Sequence, residues 1–317
     1  RFSFVRLECP AAHADEALGL LSELIRYSTF TTDDLERERR AQLRLLERRR
    51  DSAGARARQL LRDGLYGDHP LAHPAEGTVA SVEAITYDDL RSLYRQAFEP
   101  QNLVVTVVSP HVHDHVARLL AGLPESGGDR PLPEPLPLTD RPERLTDSMG
   151  GPMAAVRLGA IRAVDPADAP ALELLVAVLS DRLQMDLRET RGLGYSVGAG
   201  LSVHREDRAV FTAWVSPPAP RVAEADTALS EALRTFDAGS ISQDELDTAR
   251  NARQGRLMMR RLDSISRAYY LAMAELESGS VEPYRTQIDA YDTVTLADLQ
   301  RVSSFFSELP LVTVVVE

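Results

Sequence analysis

Residues 187–195 read Leu-Arg-Glu-Thr-Arg-Gly-Leu-Gly-Tyr. Arg188 and Tyr195 stand seven positions apart across a turn that Gly192 and Gly194 make possible. A helix ending near Arg188 and a strand starting at Tyr195 would present a fixed cation and a phenolic donor to one oxygen. The planar guanidinium fork suits carbonyl and carboxylate oxygens, and a tyrosine hydroxyl can donate to an oxyanion as it forms. A plain helix C-cap followed by an exposed Arg and a half-buried Tyr has the same spacing, so the local pattern leaves both readings open.

The elements that must hold this corner belong to a long internal repeat. Phe2–Val5 lines up with Phe211–Trp214, Leu21–Arg26 with Leu229–Arg234, and Asp34-Leu35 with Glu245-Leu246. Thr86–Leu90 matches Thr295–Leu299, and Leu103–Val108 matches Leu311–Val316. Order is kept, and the offset drifts only between 208 and 211, which implies two similar domains. The second copy begins near Leu145. The same offset places the start of the first copy about sixty residues ahead of Arg1, so the first domain is expected to be N-terminally incomplete and completed by other polypeptide. The division expected is a first domain over residues 1–123, a Pro-rich linker over 124–144 with six prolines, and a second domain over 145–317 that carries the Arg–Tyr corner.

Within the first copy, residues 2–7 and 103–108 read as buried strands. Ala17, Leu18, Leu21, Leu24 and Ile25 recur at helical spacing. Asp33 with Glu36 resembles a capping box for a charged helix reaching about Arg50, with Glu–Arg pairs four apart on a solvated face. Residues 64–77 look like a loop, and Thr86 caps a helix through Ala97. In the second copy, strands are expected at 154–159, 195–203, 209–215 and 311–316. A leucine-rich helical stripe lies between the first two, and a helix capped by Thr295 precedes the last. Strands and helices mix without regular alternation, which favours an α+β fold with helices on one face of a mixed sheet in each domain.

Composition narrows the function classes. The chain has 48 acidic and 36 basic residues, a net charge of −12, which argues against nucleic acid or an anionic membrane as a partner. Every basic residue is Arg. The single cysteine, Cys9, excludes an internal disulfide, and the longest apolar runs are strand-sized. A cytoplasmic setting is the expectation. His111-Val112-His113-Asp114-His115 is metal-like and resembles the His-x-His-x-Asp-His of metallo-β-lactamase-type sites, one residue short. Only His204 follows it, and polar residues between a strand and a helix need no metal.

With these residues together, the chain resembles the pitrilysin/insulinase-type zinc metallopeptidases over essentially its whole length. The resemblance rests on the Arg188–Tyr195 corner, on His69-Pro70-Leu71 with Gly77, on Ile85-Thr86, Asp89-Leu90 and Tyr94, on Asn102, and on the repeat with its Pro-rich linker. It implies paired α/β domains, peptide cleavage, and an Arg–Tyr pair that binds substrate. The family's zinc site needs an inverted His-x-x-Glu-His, which is not in this chain, and a distal Glu on the long charged helix. That distal position corresponds to Leu45, seven residues after Glu38, and leucine offers a metal no lone pair. Glu47, two residues on, points elsewhere around a helix.

The resemblance therefore implies the zinc-site-lacking subunit of a two-subunit peptidase. Arg188 and Tyr195 are the catalytic residues, no metal or cofactor is expected on this chain, and Zn is expected on a homologous partner subunit. The other partner is a peptide substrate. A trimmed, self-sufficient peptidase and a non-catalytic scaffold of the same family are the alternatives.

Overall fold

A computed structural model describes residues 2–99, 102–109, 117, 134–204, 207–307 and 309–317. The described residues form two compact units. One comprises residues 1–44, 78–133 and 256–287 where described, and the other 45–77, 134–255 and 288–317.

The second unit holds a five-stranded mixed sheet. Its strands are β1 (Glu143–Asp147), β2 (Ala155–Ala163), β3 (Ser196–His204), β4 (Arg208–Ser216) and β5 (Val312–Val316), in the order β1-β5-β2-β4-β3. β1 and β5 are parallel and the other neighbours antiparallel. The fold is α+β, as its element order predicts.

β2 is buried at nearly every position, so both faces of the sheet are covered. Side chains alternate across a strand, so Phe211 and Val210 point to opposite faces. Phe211 meets Phe305 and Phe306, and Phe306 meets Phe236, all edge-on. The opposite face, with Ala155, Ile161, Val210, Val312 and Val314, is closed by Ala57, Leu61 and Leu65 of helix Ala53–Tyr66.

The helices of the described residues, in chain order, are α1 (Ala14–Tyr27), α2 (Thr32–Arg50), α3 (Ala53–Tyr66), α4 (Val79–Ala84), α5 (Tyr87–Ala97), α6 (Ala169–Leu183), α7 (Val222–Arg234), α8 (Gln243–Met259), α9 (Ser264–Ser278), α10 (Glu282–Thr286) and α11 (Leu296–Val302). α3 belongs to the first repeat copy yet packs on the second copy's sheet. Its repeat counterpart, α9, packs in the first unit: the Thr106 hydroxyl donates to the Ala268 carbonyl, and Phe4 meets Tyr269 edge-on at 5.4 Å. The two copies thus exchange equivalent helical segments, residues 45–77 for 256–287, and the compact units do not follow the sequence division at 124–144.

Several local expectations hold. Thr86 and Thr295 each close a full capping box, with Asp89 and Asp298. Others are corrected. The box before α2 is Thr31 with Asp34, not Asp33 with Glu36: Thr31 Oγ1 accepts from the Asp34 amide, and Asp34 Oδ2 from the Thr31 amide. The ion pairs early in α2 are three apart, Asp34–Arg37 and Glu36–Arg39, rather than four. Gly64 lies inside α3, where a Cβ would stand 2.7 Å from Val312 Cγ1, so the bare backbone lets the helix approach β5.

Residues 2–7 and 103–108 are not strands; the first segment is exposed and neither joins a ladder. The reason is long-range. Their counterparts in β4 and β5 pair with β1, β2 and β3. Among the described residues, no first-copy segment takes the place of those three strands beside residues 2–7 or 103–108.

Candidate active-site corner

The corner is built in three steps. α6 buries one apolar side, including Leu172, Leu175, Leu179 and Leu183. It then widens into a π-helical turn, Gln184–Thr190, a distortion often found at functional sites. The Arg191 amide donates to the Asp186 carbonyl at 2.9 Å, and the Leu193 amide to the Leu187 carbonyl at 2.7 Å. Leu187 and Leu193 are fully buried and anchor both ends.

Gly192 takes φ +58, in the left-handed region that favours glycine. A Cβ on Gly194 would lie 2.7 Å from the Ser216 carbonyl oxygen, so this residue lets the chain pass close to β4. Arg221 holds the turn from outside. One of its terminal nitrogens donates to the Gly192 carbonyl at 2.9 Å, and Nε donates to Glu224 Oε2 at 2.9 Å. Arg191 pairs with Asp186 at 3.0 Å.

On this frame, Arg188 and Tyr195 come together: the Arg188 Cζ lies 4.8 Å from the Tyr195 ring centroid. Such stacking orients a guanidinium while leaving its edge free for an anion or carbonyl. Tyr195 is 81% exposed rather than half-buried, and its hydroxyl has no hydrogen-bond partner among the described residues. Arg188 Nε touches Glu189 Oε1 at 3.2 Å, an exposed pair that contributes little. The arrangement can receive an oxygen between a cation and a phenolic donor. The sequence singles out Arg188 and Tyr195, which the structure brings together, but not Arg221, Glu224 or the π-helical turn. Arg221 stands about thirty residues from the turn it clamps, and no local pattern links them.

The other residues behind the family resemblance have structural partners. His69 Nδ1 accepts from the Leu71 amide at 3.1 Å, capping the short 3₁₀ turn at Pro70. The Tyr94 hydroxyl donates to the Ile25 carbonyl at 2.6 Å and accepts from the Ser28 amide at 3.2 Å, tying α5 to the end of α1. The His111–His115 cluster lies outside the described residues.

A helix-covered mixed sheet with an exposed Arg–Tyr corner at the start of one edge strand defines an α+β class of protein. The chain belongs to the peptidase M16 family: residues 84–253 match the family described as peptidase M16 inactive domain. It is 26% identical over 312 residues to an uncharacterised zinc protease of Mycobacterium leprae, covering 90% of this chain and 67% of that one. It is 32% identical over 103 residues to a non-peptidase homolog of Helicobacter pylori, covering 32% of this chain and 24% of that one. A solved Helicobacter pylori protease shares the fold, with a TM-score of 0.80 at 20% identity, covering 96% of this chain and 77% of that one.

The family's zinc does not fit the residues present. Leu45 is half-buried and apolar at the expected distal ligand position. Among the described residues, no three His, Cys, Asp or Glu side chains converge to hold a metal. Nor, among them, is any helix long and apolar enough to cross a membrane.

Proposed function

We propose that this chain is the substrate-binding, zinc-site-degenerate subunit of a heteromeric zinc metalloendopeptidase that processes peptides. The observation that carries the reading is the exposed, stacked Arg188–Tyr195 pair on a locked corner. Arg188 grips the substrate backbone through its carbonyl oxygens. Tyr195 donates to the scissile carbonyl oxygen as negative charge builds there. Zinc and the general base come from a homologous partner subunit. Leu45 supports that division of labour over a self-sufficient site.

The test is peptide cleavage by the assembled pair. Tyr195→Phe removes only a hydroxyl and is expected to lower kcat by about 10²–10³ with assembly intact. Arg188→Ala is expected to raise KM as well, because the guanidinium also holds the ground state. Wild-type turnover in both variants would sink the reading. The non-catalytic scaffold reading, which the name of the Helicobacter pylori relative favours, expects no effect from either. Metal analysis adds a second check: about one tightly held zinc per isolated chain would contradict the division of labour.

A further inference from the structure

Among the described residues, Arg157 lacks the carboxylate partner that many arginines of its unit have. Arg144, Arg182, Arg191, Arg221, Arg250, Arg253 and Arg301 each pair with a carboxylate. Arg157 is half-buried on β2, and among the described residues it has no ion pair and no hydrogen bond. Its Nε is buried without a partner. Its one close neighbour of note is Trp214, whose ring centroid lies 5.7 Å from Cζ. In a chain with 48 acidic residues, a half-buried guanidinium left without one calls for an explanation.

The surroundings are arranged around that cation. Arg157, Trp214 and Gly198 lie in one cross-strand row over β2, β4 and β3. A Cβ on Gly198 would stand 2.9 Å from the indole, so glycine there lets the ring lie down over β3. The indole is fixed by its N–H, which donates to Ser196 Oγ at 3.2 Å. Arg58, on the exposed side of α3, adds a second positive charge. Burial first, and then Arg58, pull the Arg157 guanidinium down to about 10. Both effects mean that an arriving anion would relieve an unfavourable arrangement. Ser196 directly follows Tyr195, so the row sits on the strand that the Arg–Tyr corner starts.

We infer that Arg157, stacked on Trp214 and backed by Arg58, is a carboxylate-binding subsite for an acidic peptide group. The inference rests on the peptide-binding reading for what carries the carboxylate, and on this row of residues for the carboxylate itself. The group is either the α-carboxylate at a peptide's C-terminus or an Asp or Glu side chain, and a guanidinium takes either one bidentately.

Trp214 is the only tryptophan, so its fluorescence reports directly on the subsite. The 317-residue chain is titrated with three N-acetylated alanine-rich peptides: one with a free C-terminal carboxylate, its C-terminal amide, and that amide with one internal Glu. Saturable change with either acidic peptide, and binding of the neutral amide weaker by at least about tenfold, is expected. Which acidic peptide binds identifies the source of the carboxylate. Arg157→Met keeps the packing on the indole and should lose the same factor. Arg58→Gln, at an exposed position, should weaken binding severalfold with no effect on folding, and so tests the idea even if Arg157→Met folds poorly. Binding of the neutral amide as tight as that of both acidic peptides, no binding of either acidic peptide, or wild-type affinity in both variants would overturn it. Arg188→Ala removes a grip on backbone common to all three peptides and should leave the preference for an acidic peptide over the neutral amide intact, so failure of the cleavage role and failure of the subsite are separate results.

Discussion

Two glycines show how strictly single positions set the corner. Gly192 supplies a left-handed turn. Gly194 passes so near the Ser216 carbonyl that a methyl group would meet rigid backbone rather than a yielding side chain. Gly194→Ala is therefore expected to push the Tyr195 end of the turn off β4. Overpacking of this kind costs about 1–3 kcal/mol, so the melting temperature should fall by several degrees while circular dichroism stays native-like. On the proposed function, peptide cleavage by the assembled pair should fall further than that stability loss explains, because the phenol is displaced. An unchanged melting temperature and unchanged turnover would show that the turn has slack the geometry denies. The Arg–Tyr pair was legible in the sequence because seven residues of helix end and glycine turn encode it locally. The Arg221 clamp and the half-buried Arg157 row were not, since each joins residues distant in sequence.

At the scale of elements, the junction of α6 with α8 carries the clearest electrostatic signature. Glu245 lies in the first turn of α8, where its amide donates to Ser242 Oγ and its Oε2 accepts from the Ser242 amide. Arg182 of α6 reaches both of its oxygens, at 2.7 and 3.0 Å. Its side-chain hydrogen bonds, from Arg182 first, hold the carboxyl at about 2, below the usual carboxylate range. A lowered folded-state pKa stabilises above the unfolded value and loses that contribution as pH falls through the folded one. The contribution should be full above about pH 4.5 and fade toward pH 2. Glu245→Gln should cost about 1–2 kcal/mol at pH 7, since the pair is partly exposed. The gap to wild type should close as acid unfolding is followed downward; a constant gap would rule the ionic contribution out. Thr86 and Thr295 were readable from sequence for the same reason this cap is strong, namely that capping boxes are local. Residues 2–7 and 103–108 have strand-like sequences, but a strand exists only where its neighbours do. Periodicity reads a segment's own residues and not the strands beside it.

For the molecule as a whole, the repeat is exchanged rather than simply duplicated. α3 of the first copy covers Ala155, Ile161, Val312 and Val314 of the second copy's sheet, while α9 of the second copy packs against residues of the first. A cut at the Pro-rich linker would therefore separate each unit from one of its own layers. Residues 134–317 produced alone should expose the α3 face of the sheet as an apolar surface, a state prone to association. Gel filtration should show aggregates or an expanded species that binds hydrophobic dye, not a native monomer. Supplying residues 45–77 as a separate peptide should restore a compact, cooperatively melting species, because that segment carries Ala57, Leu61 and Leu65 to the bare face. If the 134–317 fragment instead melts cooperatively and runs at its monomer size without the peptide, α3 is a dispensable cover. The two copies would then fold independently despite their exchanged helices.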